Sequence, residues 1–197
     1  MLITRIENGQ MAENNSAFIA FYTKPYHHYQ TSDACRSWGE KAWFSKIALL
    51  GVVKRWDFES GFVGGAVDKG ETLLEAAVRE CREEVGGEVS QEQLTLVCSH
   101  EMKNEDTGWI QNTHFYVCEV TPEEIYDLQT RSMNKKLAPD ARTENAGYTV
   151  VHMVDEAFTN LLNAQWAGTA KEELRILFES GLIARPVFED NGVSIEN

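Results

Sequence analysis

The sequence predicts an α+β protein in which a mixed β-sheet packs against helices on both sides. Two observations carry this prediction. Strand-like and helix-like segments interleave irregularly along the chain, and the strand-like segments 94–102 and 112–120 are close enough to pair as an antiparallel hairpin. The 197 residues, of which 43% are hydrophobic and 10% aromatic, are enough to bury the core of one domain spanning 1–197.

Local patterns place each element in turn. Runs of apolar, β-branched and aromatic residues predict the strands, and the glycine-rich stretch 59–70 predicts a loop with a short strand inside it. Gly86 and Gly87 suit the end of the first helix, whereas Thr121 and Pro122 suit the start of the second. The predicted strands are 16–23, 44–56, 94–102, 112–120 and 147–154, and the predicted helices are 72–86, one opening at 121, 155–165 and 169–180. Residues 134–146 are predicted to form a loop, and a loose tail is expected from about 185.

Charge and cysteine content exclude several classes of function. The net charge of −13, from 18 basic and 31 acidic residues, leaves no basic stripe and argues against duplex DNA as a partner. Four cysteines without a C-x-x-C pair predict reduced thiols and neither a disulfide framework nor a zinc site. The N-terminal stretch MLITRIENGQ lacks an apolar core of signal-peptide length, and no run approaches the length of a membrane span, which predicts a protein of the cytoplasm or nucleus without a membrane partner.

The segment GGAVDKGETLLEAAVRECREEVGG, residues 64–87, is strongly acidic and carries six carboxylates. Helical periodicity places Glu80, Glu83 and Glu84 on one face, because they stand at i, i+3 and i+4. Two interpretations of this face stay open: a solvated helix surface, or oxygen ligands for a hard divalent cation such as Mg²⁺ or Mn²⁺. An adjacent apolar arc predicts the core face, which consists of Leu74, Ala77, Val78, Cys81 and Val85.

The spacing of this segment resembles a known motif. Gly65, five residues, Glu71, seven residues and then the run 79–86, Arg-Glu-Cys-Arg-Glu-Glu-Val-Gly, resembles the Nudix box, G-x5-E-x7-R-E-U-x-E-E-x-G-U. All seven specified non-hydrophobic positions match, and the box spans 65–87. Gly87 departs from the pattern, because it stands where the box has a bulky apolar residue.

The resemblance implies the Nudix fold, a mixed sheet between helices, and metal-dependent hydrolysis of a nucleoside diphosphate linked to another group. Carried over by position, the implied ligands of Mg²⁺ or Mn²⁺ are Glu80, Glu83 and Glu84, with a carbonyl oxygen of Gly64 or Gly65. Glu71 and Arg79 would orient these ligands through salt bridges. Either Glu83 or Glu84 would serve as the general base, and general bases vary within the family.

Outside the box, the chain resembles one branch of the family, the small-nucleolar-RNA decapping enzymes that also hydrolyse inosine and xanthosine diphosphates. The similar stretches are RWDFESGFVGGAVD (55–68), HFYVCEVTPEEI (114–125) and WAGTAKEELRILFESGL (166–182). This branch implies that Arg55 and Phe62 lie near the purine, where a cation and an aromatic ring suit a planar base. An exposed cation and a core-filling ring are the alternatives for these two residues.

The branch also implies a histidine near the metals, which His100 would supply; a structural strand histidine is the alternative. Thr169 and Glu173 stand where the branch has a hydroxyl and an amide near the ligand, and Gly64 is a further residue expected to contact the substrate. The carboxylate of Glu173 would accept a hydrogen bond from a purine N–H and disfavour a base edge made only of acceptors. An upstream histidine of the branch has no clear match, although Asp33 is close by.

These resemblances imply a pyrophosphohydrolase that acts on a purine nucleoside diphosphate of the IDP type or on a nucleotide-capped RNA end. An ADP-ribose or dinucleotide pyrophosphatase is the alternative enzyme. A catalytically silent binding module is a third hypothesis, which the intact carboxylates disfavour. A homodimer is a further candidate partner, because five tryptophans leave room for an aromatic interface. We expect Trp109 to be exposed and the other tryptophans, Trp56 and Trp166 among them, to fill the core.

Overall fold

The structure is a computed structural model that describes residues 1–27, 46–141, 143, 145–153 and 155–183. Predictions for Asp33 and for the tail from about 185 lie outside the described residues. A mixed sheet forms the centre of the fold. The strands are β1 (Leu2–Ile6), β2 (Asn15–Tyr22), β3 (Tyr26–His27), β4 (Lys46–Ile47), β5 (Leu49–Arg55), β6 (Ser60–Gly61), β7 (Val63–Ala66), β8 (Thr95–Lys103), β9 (Ile110–Glu119) and β10 (Asn145–His152).

The main sheet has the order β1-β8-β9-β2-β5-β10, with β6 paired to β5 and β7 paired to β2. The central β2–β9 pair is parallel, and the other pairs are antiparallel. The β8–β9 hairpin confirms the predicted pairing, while β3 and β4 form a separate two-stranded sheet. The sheet is therefore mixed, as the sequence predicts.

Helices cover both faces of this sheet. They are α1 (Leu73–Val85), α2 (Pro122–Ser132), α3 (Asp155–Asn163) and α4 (Ala170–Glu179), with a short 3-10 helix at Gln91–Gln93. Alternate residues of β2 point to opposite faces. Ile19 packs in the core that includes residues of α1 and α2, whereas Ala20 packs in the core that includes residues of α3 and α4. No helix in the described part of the chain has the length and apolar character that a membrane crossing requires.

Helix α1 follows its predicted boundaries. Thr72 caps its first turn in a reciprocal capping box with Glu75, and Gly86 ends it in a left-handed conformation with a φ of 64°. Ala77, Cys81 and Val85 of the predicted core face are buried, while Leu74 and Val78 are partly buried against the same core.

Other boundaries differ from the sequence prediction. Strand β1 was not predicted, and the predicted strand 44–56 is divided at Ala48 because β4 leaves the main sheet to pair with β3. The stretch 59–70 contains two short strands, β6 and β7. The expectation that Trp56 fills the core is wrong, because Trp56 is 59% exposed; Trp109 is exposed, as predicted.

Candidate active site

Two adjacent glycines let the acidic helix α1 approach the sheet closely. Gly64 pairs with Phe18 on β2 and has a φ of 145°, and a Cβ atom there would lie 2.1 Å from the carbonyl oxygen of Ala17. A Cβ atom at Gly65 would lie 2.6 Å from Oε1 of Glu80. The carboxylate of Glu80 therefore rests directly on the backbone of β7.

The guanidinium of Arg79 holds three carboxylates of the Nudix-like motif. Its Nε and Nη2 donate to the two oxygens of Glu71 at 2.9 and 3.1 Å. Its Nη1 donates to Glu80 at 2.7 Å and to Glu83 at 2.9 Å, and Nη2 also donates to the carbonyl oxygen of Ala66 at 2.8 Å. The hydrogen bond from Arg79 is the main reason that the pKa of Glu71 lies below its ordinary value.

Glu84 points in a different direction from Glu83. The backbone N–H of Gly64 donates to its Oε2 at 2.9 Å, and Nδ2 of Asn145 donates to its Oε1. Glu84 and Asn145 are 5% and 7% exposed. The sequence analysis did not single out Asn145, and no local signal identifies it, because it stands 61 residues from Glu84 at the start of β10.

The donor set suits a hard divalent cation, although the carboxylates do not converge on one point. Among the described residues, no three histidine, cysteine, aspartate or glutamate side chains form a metal-binding group. Arg79 engages Glu80 and Glu83, while Glu84 engages Gly64. Glu80 and Glu84 are nonetheless buried carboxylates, and buried charges require ion pairs, hydrogen bonds or metal coordination. Carboxylate and carbonyl oxygens are the ligands that Mg²⁺ and Mn²⁺ prefer.

A cavity of about 300 Å³ opens beside this carboxylate cluster. Its lining comes from β5, from β7 and the residues between these strands, from β9 and from the start of α4, with single residues of β2, β8, β10 and α1. Five residues predicted from the sequence to contact substrate line the cavity, together with Gly65 and Glu84 of the motif: Arg55, Phe62, Gly64, Thr169 and Glu173. Asn145 and Thr113 line it as well.

Phe62 and Arg55 differ in how firmly they are held. Phe62 is 4% exposed, and its ring centroid lies 4.9 Å from that of Phe115 and 5.5 Å from that of Trp166. It therefore belongs to the core and also borders the cavity. Arg55 is exposed, and its Nε donates to Oδ2 of Asp57 at 3.2 Å. Arg55 therefore presents a guanidinium group, ion-paired with Asp57, at the cavity.

A chain of buried polar side chains lines part of the cavity. Oγ1 of Thr113 lies 3.1 Å from Oγ1 of Thr169, which donates to Oε1 of Glu173 at 2.6 Å. Glu173 is 1% exposed, and burial raises the pKa of its carboxyl to about 7. This carboxyl can therefore change its charge, and with it its hydrogen-bonding role, near neutral pH.

His100 is not among the cavity-lining residues, although it pairs on the sheet with Thr113, which is. Its imidazole is 2% exposed and borders a separate depression with Arg5, Glu172 and Arg175. Burial lowers the pKa of His100, so the ring is neutral at pH 7. The His100 imidazole therefore does not line the cavity, whereas its backbone carbonyl oxygen accepts a hydrogen bond from Oγ1 of Thr113, which does.

Comparison with known proteins identifies the family. The family model of the NUDIX domain matches residues 46–172, more than half of the chain. The chain belongs to the Nudix family. A curated Nudix relative, the "U8 snoRNA-decapping enzyme" of Homalodisca vitripennis, is 33% identical over 108 residues, which are 53% of this chain and 54% of the relative. The chain therefore matches about half the length of that relative.

Solved structures show that this Nudix chain has the Nudix fold. The NUDIX domain of Shewanella oneidensis NrtR, solved with ADP ribose, aligns with a TM-score of 0.54 and 12% identity over 87% of this chain and 90% of that domain. The Bacillus subtilis pyrophosphohydrolase BsRppH aligns with a TM-score of 0.50 and 17% identity over 93% and 92% of the two chains. At these identities the similarity concerns the fold alone.

Proposed function

We propose that this Nudix chain is a metal-dependent pyrophosphohydrolase that acts on a purine nucleoside diphosphate or on a nucleotide-capped RNA end. One observation carries the proposal. A carboxylate of the Nudix box, Glu84, and a buried polar pair, Thr169 and Glu173, border the same cavity of about 300 Å³. One nucleotide could bind here with its base at Thr169 and Glu173 and its diphosphate at the carboxylates of the Nudix box.

Glu80, Glu83 and Glu84 would hold Mg²⁺ or Mn²⁺, with carbonyl oxygens of Gly64 and Gly65. The cation would neutralise phosphate oxygens and lower the pKa of water. His100 has no part in this proposal, because it borders a different depression. Arg79 would hold Glu80 and Glu83 in place and limit the repulsion between them.

Proton transfer requires a carboxylate close to the attacking water, and Glu83 and Glu84 are the candidates. Water adds to phosphorus, its proton passes to the carboxylate, and the bond from phosphorus to the bridging oxygen breaks. The Glu83 side chain is 34% exposed, whereas Glu84 is buried and already accepts two hydrogen bonds. Glu83 is therefore the more accessible proton acceptor.

The base end of the cavity combines an aromatic ring, a cation and a carboxyl group. Phe62 would contact the face of a purine, and Arg55 would contact the base or the adjacent phosphate. When ionised, Glu173 only accepts hydrogen bonds, so it favours a base edge that presents an N–H group. The replacement Glu173→Gln would add a donor and shift the preference toward edges that present acceptors.

A substrate panel tests the proposal. Purified protein is incubated with IDP, GDP, ADP-ribose and a capped RNA oligomer, with Mg²⁺, with Mn²⁺ or with chelator, and the released phosphate and mononucleotide are measured. We expect cation-dependent turnover of IDP or of the capped RNA, and a loss of at least about 100-fold in kcat for Glu83→Gln.

Two outcomes of the panel would contradict the proposal in different ways. Turnover of ADP-ribose alone would retain the Nudix chemistry and assign the chain to the alternative class of ADP-ribose or dinucleotide pyrophosphatases. No turnover of any compound, with the same result for Glu83→Gln, would favour a binding module. A matched surface variant, Glu123→Gln, controls for the loss of one negative charge, since Glu123 lies in the first turn of α2 outside the cavity lining.

A further inference from the structure

Two turns adjoin residues that line the cavity, and each turn carries at least one exposed aromatic side chain. Trp56 and Phe58 lie in the turn between Arg55 and Gly61, and both of those flanking residues line the cavity. Trp109 lies in the turn between Met102 and Gln111, which also line it. Trp56, Phe58 and Trp109 are named the aromatic rim here.

The rim contributes little to the core. Trp56, Phe58 and Trp109 are 59%, 82% and 42% exposed, whereas Phe62, four residues beyond Phe58, is 4% exposed. Large exposed apolar side chains in turns that adjoin a cavity indicate a binding surface, because exposure of these rings to water is unfavourable. Packing therefore does not explain why aromatic residues stand at these positions.

Backbone geometry does not explain Phe58 either. Its φ is 69°, in the left-handed region that bulky residues rarely adopt. The turn holds this conformation through hydrogen bonds from the Phe58 N–H to the Arg55 carbonyl at 3.1 Å and from the Arg55 N–H to the Glu59 carbonyl at 3.0 Å. Glycine would occupy this position without strain. Strained residues of this kind concentrate at ligand sites.

The size of the cavity indicates what the rim binds. A volume of about 300 Å³ is at the lower limit of ligand pockets, and it suits one nucleoside unit. If that unit lies between Phe62 and Glu173, with its diphosphate at Glu84, a group beyond the diphosphate must lie outside the cavity. Asn145, which donates to Glu84, pairs with Arg55 at the start of the turn that carries part of the rim. Aromatic side chains bind bases of any sequence by stacking.

We propose that the aromatic rim is a second base-binding subsite, which stacks the base on the leaving-group side of the diphosphate. This inference rests on the proposed function and narrows its substrate class to molecules that carry a base on each side of the diphosphate. A nucleotide-capped RNA end and a dinucleotide share this chemistry. A simple nucleoside diphosphate fills the cavity and leaves the rim empty.

The kinetic test compares two substrates that differ only beyond the diphosphate. KM and kcat are measured for a dinucleoside diphosphate and for the matching nucleoside diphosphate with wild type, Trp56→Ala, Trp109→Ala and Phe58→Gly. We expect the KM for the two-base substrate to rise about 10-fold in each variant, since one stacked base contributes an effect of this order. The KM for the nucleoside diphosphate and both kcat values stay unchanged.

Several controls separate stacking from damage to the fold. Phe58→Gly relieves the strain of the left-handed conformation, so its Tm should equal or exceed that of wild type while its two-base KM still rises. Trp56→Phe keeps a ring and should restore most of the affinity. Met133→Ala removes an exposed side chain at the end of α2 outside the cavity lining and should change neither KM.

Direct binding decides the inference even if turnover is absent. A methylene-bridged dinucleotide and the matching mononucleotide are titrated against tryptophan fluorescence, and only the dinucleotide should show quenching that Trp56→Phe and Trp109→Phe diminish. A capped RNA oligomer and a dinucleotide, compared in the same assay, distinguish the two sources of the second base. If wild type hydrolyses nothing, the proposed function fails, whereas the titration still tests the rim.

Three results would overturn the inference. Equal KM increases for both substrates would make the rings part of the cavity wall. Unchanged KM values for the two-base substrate in all three variants would leave the rim without a ligand. A lower molecular mass in sedimentation for Trp56→Ala than for wild type would show that the rim joins two copies of the chain.

Discussion

At the scale of single residues, Arg79 lets several like charges share one surface. Glu80 and Glu83 receive hydrogen bonds from the same guanidinium nitrogen, and Glu71 engages the other two nitrogens. Guanidinium is always charged and planar, so it can hold three carboxylates in fixed directions. The contacts raise the pKa of Arg79, the hydrogen bond with Glu71 most of all. Without this cation, the carboxylates would repel one another and turn outward.

The first prediction concerns Arg79. Arg79→Ala should lower kcat/KM by about 10- to 100-fold, because residues that orient metal ligands contribute effects of that size. Arg79→Lys should recover only part of the loss, since an ammonium group cannot engage three carboxylates at once. Arg175→Ala is the matched control: Arg175 pairs with Glu172 and Glu179 on the exposed side of α4 and should leave kcat/KM unchanged. Equal losses for Arg79→Ala and Arg175→Ala would contradict the prediction.

The second prediction concerns the charge of Glu173. Its pKa rises from an ordinary value of 4.5 to about 7 in the folded protein because the carboxyl is buried. The folded state therefore holds a proton that the unfolded state releases between these two pH values. The stability of wild type relative to Glu173→Gln should be highest below pH 4.5, fall by about 3 kcal/mol as the pH rises to about 7, and then stay constant.

Urea unfolding of both proteins between pH 4 and 8 measures this difference. The comparison is necessary because another buried group acts in the opposite direction. Burial lowers the pKa of His114 from 6.5 to about 4, so His114 makes the folded state less stable as the pH falls through that range. Both proteins contain His114, and its effect cancels in the difference. Parallel stability curves from pH 4.5 to 7 would disprove the assignment to Glu173.

At the scale of elements, the junction between β7 and α1 depends on two glycines, and a side chain at each position would have a different effect. A side chain at Gly64 would meet the backbone of Ala17, which cannot move without disrupting β2. A side chain at Gly65 would meet the carboxylate of Glu80, which can rotate away. A side chain at Gly64 would therefore destabilise the fold, whereas a side chain at Gly65 would displace a carboxylate of the candidate site.

The third prediction follows from this contrast. Gly64→Ala should lower both the Tm and the activity, because backbone strain and a 2.1 Å contact add to each other. Gly65→Ala should keep a Tm within a few degrees of wild type and lower kcat/KM by about 10-fold or more, since it displaces a candidate metal ligand. Thermal unfolding and steady-state kinetics measured on the same samples provide the test. A Tm loss for Gly65→Ala as large as that for Gly64→Ala would refute it.

Elements with local signals could be predicted, whereas those fixed by distant pairing could not. The capping boxes at Thr72 and Thr121 and the glycine at 86 mark helix ends within a few residues. Strand β1 has a mostly exposed pattern and is held by its register with β8, and β2 lies parallel to β9 across roughly half of the chain. No local pattern encodes such pairings.

The candidate site divides in the same way. Helical spacing predicted that Glu80, Glu83 and Glu84 share a face, and the resemblance to the Nudix box implied the roles of Glu71 and Arg79. The contact of Asn145 with Glu84 could not be predicted from the sequence, because β10 brings the two residues together only in the folded chain. The exposure of Trp56 could not be predicted either, since a tryptophan in a sequence is equally consistent with a core position.

At the scale of the whole molecule, the net charge of −13 limits how nucleic acid can bind. The fourth prediction is that turnover of capped RNA under kcat/KM conditions falls less than about 10-fold between 50 and 200 mM salt, because few phosphates are contacted. A protein with six to ten phosphate contacts would lose about 1,000-fold or more in affinity over the same range. Measuring kcat/KM for the RNA and for IDP at four salt concentrations distinguishes the cases, and a steep slope for the RNA alone would contradict the prediction.

The position of the cavity between distant parts of the chain has a consequence for how the protein is made. A ribosome completes α1 with its acidic face long before it reaches Asn145, which supplies a hydrogen bond to Glu84, or Glu173, which lines the cavity. Domains generally fold as units during synthesis. A nascent chain that ends before α4 therefore lacks the helix that shares a core with Phe62 and Trp166, and the cavity forms only after α4 has left the exit tunnel.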